Sequence, residues 1–277
     1  MAEVLGRDEV RRALVEDRAR EDATTRLLGA TAAAAATARL VAEGRFVVAG
    51  LPVVGTVFAE LDPAARVVPC IAEGGRSEPG AVLATVHARG EALLAGERVA
   101  LNFLQHLSGV ATLTRRAVDA VAGTPARITH TRKTTPGLRA LELYAVRVGG
   151  GVDNRASLAN AVLWKDNHWA LLAGGSLRAA LEAVQPGVPV MVEVENDAQV
   201  EAALAARVRH LLVDNQPPER LAAWARRAGP QVTIHASGGI TPETARAYAE
   251  AGAHLIAIGA LTHSAPAVQI RCDIAEF

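Results

Sequence analysis

From residue 127 onward the chain repeats one unit, a short strand-like run followed by an amphipathic helix. The runs cover residues 127–131, 161–164, 190–194, 210–213, 232–236 and 254–258. Between them, residues 199–207, 219–227 and 242–251 carry the apolar spacing of surface helices. Thr241 followed by Pro242 reads as a helix start, threonine as cap and proline at the first helical position. Strands with apolar residues on both faces, separated by helices, have both faces covered, so these runs predict a parallel sheet between helices. Six such units favour a complete or incomplete βα barrel over an open sheet, although alternation alone does not settle that choice.

The first 110 residues have another rhythm. Residues 8–20 predict a charged amphipathic helix with Val10, Leu14 and Val15 on one face. Residues 31–43, small and rich in alanine, predict a second helix. Residues 46–50 predict a strand, and residues 51–61 a strand–turn–helix unit. Residues 74–80 are a turn cluster, and 81–90 a strand with Val82, Ala84 and Val86 on one face. Asp22 or Thr24 reads as the cap of a local turn. Residues 97–107 predict a long helix with Arg98 near its start. Residues 25–110 thus predict a small α+β domain.

Lys+Arg and Asp+Glu balance at 29 each, which argues against a general nucleic-acid binder. Any anion site must come from local clustering of charge. Aromatics are only 3% of the chain, so the core must be built from Ala, Val and Leu. Cys70 and Cys272 lack metal-ligand spacing; we read them as reduced thiols of a cytoplasmic protein, with a disulfide as the weaker alternative. The charged stretch from Glu3 to Asp22 does not read as a signal peptide, and no apolar run is long enough to span a bilayer.

The strand ends carry the chemistry. The first run ends in Thr131-Arg132-Lys133, and the second in Lys165-Asp166-Asn167-His168. The third carries Glu193 and Glu195, and the fourth ends in Asp214-Asn215. The last two end in Ser237-Gly238-Gly239 and Gly259-Ala260. In a βα barrel these ends meet on one rim. Arg132, Lys133, Lys165 and Arg155 would make it cationic, and Glu193 and Asp214 would face them. Arginine grips carboxylates and phosphates with paired hydrogen bonds, and lysine adds a compact charge. Carboxylates suit sugar hydroxyls or a hydrated Mg2+, and glycine-rich turns suit phosphate. The rim predicts a phosphorylated sugar, a metal and a second anionic substrate.

At this point the chain resembles the quinolinate phosphoribosyltransferase family. The resemblance runs through Glu97-Arg98-Val99-Ala100-Leu101-Asn102, Leu107-Ser108-Gly109, residues 131–139, Lys165-Asp166-Asn167-His168, Val192-Glu193-Val194-Glu195, Asp214-Asn215, Ser237-Gly238-Gly239 and residues 259–264. It implies an α/β fold with an N-terminal α/β sandwich domain and leading helix over residues 1–112 and an incomplete, open α/β barrel over 113–277. It implies transfer of phosphoribosyl from phosphoribosyl pyrophosphate to quinolinate with loss of CO2, in NAD biosynthesis. It also implies a homodimer or a higher assembly of dimers, with Arg98 reaching into the neighbouring subunit's site. Thr131, Arg132, Lys133, Arg155 and Lys165 would hold substrate. Glu193 and Asp214 would face the ribose and Mg2+, Ser237, Gly238, Gly239, Gly259 and Ala260 would cradle the 5-phosphate, and His263 would also bind substrate. Lys133, Glu193 and Asp214 would carry the catalytic roles.

The chain departs from that pattern at five places. His130 stands where the family has aspartate, Asn154 where it has histidine, and Met191 and His235 where it has glutamate. Asn160 replaces an aspartate. Either the base pocket is altered or these residues compensate one another. Rival readings are a paralogue acting on another carboxylated heterocycle, a barrel lyase using Lys165 as a Schiff-base nucleophile, and a catalytically silent phosphosugar binder.

Overall fold

The computed structural model describes residues 5–172 and 174–274. The elements run α1 (Arg7–Glu16), β1 (Ala35–Ala42), α2 (Leu51–Leu61), β2 (Arg66–Pro69), β3 (Val82–Arg89) and α3 (Gly90–Ala120). Then come β4 (Arg127–Thr129), α4 (Arg139–Val148), β5 (Val162–Trp164), α5 (Asp166–Leu172), α6 (Leu177–Leu181), β6 (Val190–Val194) and α7 (Asp197–Ala205). The chain continues through β7 (His210–Asp214), α8 (Pro218–Ala228), β8 (Thr233–Ser237), α9 (Pro242–Glu250), β9 (Leu255–Ala257), α10 (Ala260–His263) and β10 (Ile270–Ile274). They divide into two compact units. Among the described residues no helix is long and apolar enough to cross a membrane.

The first unit comprises residues up to Arg115 with 135–149 and 264–277. Its sheet is antiparallel, in the order β10-β1-β3-β2. The alanine-rich stretch expected to be helical is a 3₁₀ segment, Thr25–Ala33, followed by strand β1. Ala36, Ala38, Leu40 and Ala42 alternate inward with exposed Arg39 between them, so a buried sheet face overrides the helix preference of alanine. Residues 46–50 form no strand beyond one bridge, Val47 to Arg76, and Gly50 is left-handed at φ 112°. Their N–H groups find mixed partners: Val48 donates to the Gly75 carbonyl at 2.9 Å and Gly50 to the Glu73 carboxylate at 3.0 Å. Val47 donates to Thr112 Oγ1 at 2.9 Å and Ala49 to Ser108 Oγ at 3.0 Å, both on α3. Residues 51–61 are helix throughout, with no strand before it. The leading helix stops at Glu16. Asp22 makes the expected turn, accepting from the N–H groups of Thr24 and Thr25 at 2.9 and 3.3 Å. Helix α3 begins seven residues earlier than expected, so Arg98 lies in its third turn and not near its start.

The second unit comprises residues 116–134 and 150–263. All six expected strands form, in one parallel sheet ordered β4-β9-β8-β7-β6-β5. The terminal strands β4 and β5 do not pair with each other, so the barrel is open. Side chains alternate across each strand. Val192, Val213, Ala236 and Ile256 are 0–1% exposed. Burying each large aliphatic of this kind stabilises the fold by about 1.5–3 kcal/mol. Thr241 precedes α9 as expected, its N–H donating to Thr244 Oγ1 at 3.0 Å.

Candidate active site

The alternate residues of the parallel strands line a cavity of about 280 Å³. Leu163 and Lys165 come from β5 and its end, Met191 and Glu193 from β6, Leu212 and Asp214 from β7, Ser237 from β8 and Ala257 from β9. Thr131, Arg132 and Lys133 enter after β4, with Asn154 and Arg155 beside them. Period-2 alternation explains this membership: in each pair the residue nearer the strand's C-terminal end is polar and its inward predecessor apolar. The floor is therefore Leu163, Met191 and Leu212, and the mouth carries four cations facing two carboxylates.

Lys165, Glu193, Asp214 and Arg155 have polar partners. Lys165 Nζ donates to Glu193 Oε2 at 2.7 Å. The indole of Trp169, on α5, donates to the Glu193 carbonyl at 2.9 Å. Asn215 sits in the left-handed region, φ 53°, which lets its Nδ2 donate to Asp214 Oδ2 at 2.6 Å. Asn215 also crowds Gly238, whose φ is 93°; a Cβ there would lie 2.3 Å from Asn215 Oδ1. Burial and the nearby Arg132 hold Arg155 below the usual guanidinium range, with Glu193 pulling the other way. Arg132 Nε is buried with no hydrogen-bond partner among the described residues, as expected of a donor aimed at a ligand.

Two of the five departures meet directly. The Asn154 N–H donates to His130 Nε2 at 3.0 Å, and Asn154 Nδ2 to the His130 carbonyl at 3.2 Å. Asn154 Oδ1 accepts the Arg155 N–H at 2.7 Å, so this pair sets where Arg155 stands. Met191 belongs to the cavity floor. His235, fully buried, lies on the inward face of β8 one layer beneath Ser237, its Nδ1 3.1 Å from His210 Nε2. Asn160 does not line the cavity; Ser157 Oγ donates to its Oδ1 at 2.6 Å.

Not every expected site residue lines this cavity. Gly238, Gly239, Gly259, Ala260 and His263 follow β8 and β9 in the same unit but lie outside its wall. Gly259 nonetheless packs on Lys133, since a Cβ on it would stand 3.3 Å from Lys133 Cδ. Arg98 belongs to the first unit, exposed on α3. Sequence reasoning missed the apolar floor, Leu163, Leu212 and Ala257, which the strand alternation could have supplied. A separate cavity of about 520 Å³ lies in the first unit. Its wall mixes Glu9, Glu16 and Asp17 with Arg12 and His106, and so lacks the clustered cations of the barrel cavity.

Two family models match the chain: the quinolinate phosphoribosyl transferase N-terminal domain over residues 22–108 and its C-terminal domain over 110–273. A Mycobacterium leprae protein named nicotinate-nucleotide pyrophosphorylase [carboxylating] is 42% identical, covering 97% of this chain and 96% of its own. A human protein of the same name is 36% identical over 86% of this chain and 82% of its own. A solved nicotinate-nucleotide pyrophosphorylase from Ehrlichia chaffeensis superposes with a TM-score of 0.91 at 32% identity, covering 99% of this chain and 100% of that one.

Proposed function

The chain belongs to the quinolinate phosphoribosyltransferase family, and from that premise we propose that the cavity of the open barrel is its active site. The reaction is transfer of phosphoribosyl from phosphoribosyl pyrophosphate to quinolinate with decarboxylation, giving nicotinate mononucleotide, CO2 and pyrophosphate, a step of NAD biosynthesis. One observation carries the placement: Arg132, Lys133, Arg155 and Lys165 share a single cavity with Glu193 and Asp214.

Arg132, Arg155 and Lys133 grip the two carboxylates of quinolinate over the apolar floor, which takes the ring. Pyrophosphate leaves C1 of the ribose while Lys133 and Lys165 stabilise the departing charge. Glu193 faces the oxocarbenium-like sugar, and Asp214 its hydroxyls. The pyridine nitrogen attacks C1. The bond from the ring to the adjacent carboxylate then breaks, its electron pair held beside the cationic nitrogen. CO2 departs and the ring carbon takes up a proton. Positioning and charge suffice, and no side-chain nucleophile is required. Ser237, Gly238, Gly239, Gly259, Ala260 and His263 receive the 5-phosphate.

Glu193 and Asp214 offer the oxygen donors that Mg2+ accepts alongside water and substrate oxygens. Among the described residues no three ligating side chains cluster, so these two carboxylates are the groups that would hold the ion. When bound, Mg2+ neutralises leaving-group charge. The working unit is a homodimer in which exposed Arg98 completes the partner's cavity. The cytoplasm is the proposed setting, on the strength of the free thiols Cys70 and Cys272. The Schiff-base alternative is disfavoured because Lys165 is engaged by Glu193 at 2.7 Å.

The test is incubation with phosphoribosyl pyrophosphate, Mg2+ and quinolinate, with assay of CO2 and the mononucleotide. Turnover of another pyridine carboxylate in preference to quinolinate would move the assignment to the paralogue reading. Ligand binding without pyrophosphate release would leave only a binding protein.

A further inference from the structure

Lys133 is held through its main chain on both sides. Its N–H donates to Thr131 Oγ1 at 3.1 Å, and its carbonyl accepts from Thr262 Oγ1 at 2.8 Å. Thr262 is 1% exposed, in the short helix α10 next to His263. Its hydroxyl has one hydrogen, yet a second carbonyl, that of Gly259, lies 3.2 Å away. Gly259 touches both neighbours, since a Cβ built on it would stand 3.1 Å from His263 Nε2 and 3.3 Å from Lys133 Cδ. A single buried hydroxyl therefore sits between the backbone of Lys133 and the turn at residues 259–263, where the stem of Lys133 also packs.

We propose that Thr262 is a positioning residue that couples the two ligand seats of the active site. An anion held on the 259–263 turn fixes the hydroxyl bridge and so aligns Lys133 for the carboxylate it grips. This rests on the reading above, in which the turn receives the 5-phosphate and Lys133 contacts quinolinate. The physical basis is a shared ordering cost. While the hydroxyl divides itself between two carbonyls, Lys133 is less constrained; a ligand that fixes the turn selects the shorter bond. The second ligand then meets a segment already ordered and binds more tightly. Linkage makes the effect reciprocal, so quinolinate tightens the phosphate seat by the same factor.

Calorimetry with ribose 5-phosphate and quinolinate tests this, because the pair lacks the pyrophosphate needed for turnover. In the wild type, saturating ribose 5-phosphate should lower the quinolinate Kd about fivefold or more, and the reverse titration should give the same ratio. Thr262→Val, equal in shape but without the hydroxyl, should bind each ligand alone and bring that ratio to about 1. Thr262→Ser should restore it. Amide exchange at Lys133 should slow on adding ribose 5-phosphate to the wild type and the serine variant, and not to the valine variant. Should the valine variant fail to fold, Thr262→Ala replaces it. A wild type that turns over phosphoribosyl pyrophosphate and quinolinate yet shows no coupling overturns this inference alone, as does a valine variant that keeps the coupling. A wild type with no turnover overturns the assignment of the reaction.

Discussion

Lys165 Nζ and Glu193 Oε2 lie 2.7 Å apart, tying β5 to β6 at the level of the cavity. The two ends are unequal: the Glu193 side chain is 6% exposed and that of Lys165 44%. Glu193 therefore depends on this partner more than Lys165 does. Lys165→Met leaves a buried carboxylate unpaired and should cost about 1–3 kcal/mol, toward the lower end because Lys165 is partly solvated. Adding Glu193→Gln should recover most of that stability in thermal denaturation while activity stays lost. A double variant no more stable than the single one would show that the pair is not what holds Glu193.

Lys133 is exposed at the cavity mouth, so its side chain contributes little to the fold. Lys133→Ala should lower kcat by about 10²–10³, as for loss of one preorganised electrostatic donor. Its stability should stay within about 0.5 kcal/mol of wild type. Near-normal turnover would remove Lys133 from the catalytic group.

Gly238→Ala tests the turn after β8. The new Cβ would lie 2.3 Å from Asn215 Oδ1 and 2.4 Å from Asn215 N, with the backbone already at φ 93°. Strain of this kind costs about 1–3 kcal/mol. Because Asn215 steers Asp214, turnover should fall as well as melting temperature. A variant that melts normally with full kcat would show that the turn yields without moving Asp214.

His235 and His210 make stability depend on pH. Burial pushes His235 down to about 3 and His210 down to about 4, with neighbouring histidines adding to the shift. Unfolded, each titrates near pH 6.5. Above that pH both states are neutral and neither histidine contributes a pH dependence. As pH falls from about 6.5 toward 4, the unfolded chain binds protons that the folded chain refuses, and stability drops by up to about 1.4 kcal/mol per pH unit for each ring. Denaturant unfolding at pH 7, 6 and 5 should show this slope, and His235→Gln should flatten it. An unchanged slope in that variant would place the pH dependence elsewhere.

Arg98 tests the shared site. Arg98→Ala and Lys133→Ala should each be strongly impaired, and mixing them under conditions that exchange subunits should return activity, because a mixed dimer holds one intact site. No recovery, with exchange verified, would mean that Arg98 acts within its own chain or not at all.

The barrel strands were legible in the sequence because period and composition agreed there. Val190–Val194 is apolar at every position but Glu193, a pattern that fits a covered parallel strand with one functional residue facing in. The N-terminal unit was harder to read, because alanine has no side-chain preference strong enough to resist its surroundings. Ala36 and Ala38 are strand residues only because β3 and β10 flank β1. Residues 46–50 look like a strand but divide their hydrogen bonds between the 73–77 segment and the hydroxyls of Ser108 and Thr112, 59 and 65 residues away. No local pattern encodes such partners.

Residue identity and spacing alone determined which groups bear charge and that they fall at strand ends, since alternation along a strand is a property of the backbone. Tertiary structure decided which of those ends share one cavity and that His130 accepts from Asn154. It also decided that the Thr262 hydroxyl reaches Lys133, 129 residues earlier in the chain. A hydrogen bond depends on distance and direction, and only the folded chain sets those for residues far apart in sequence.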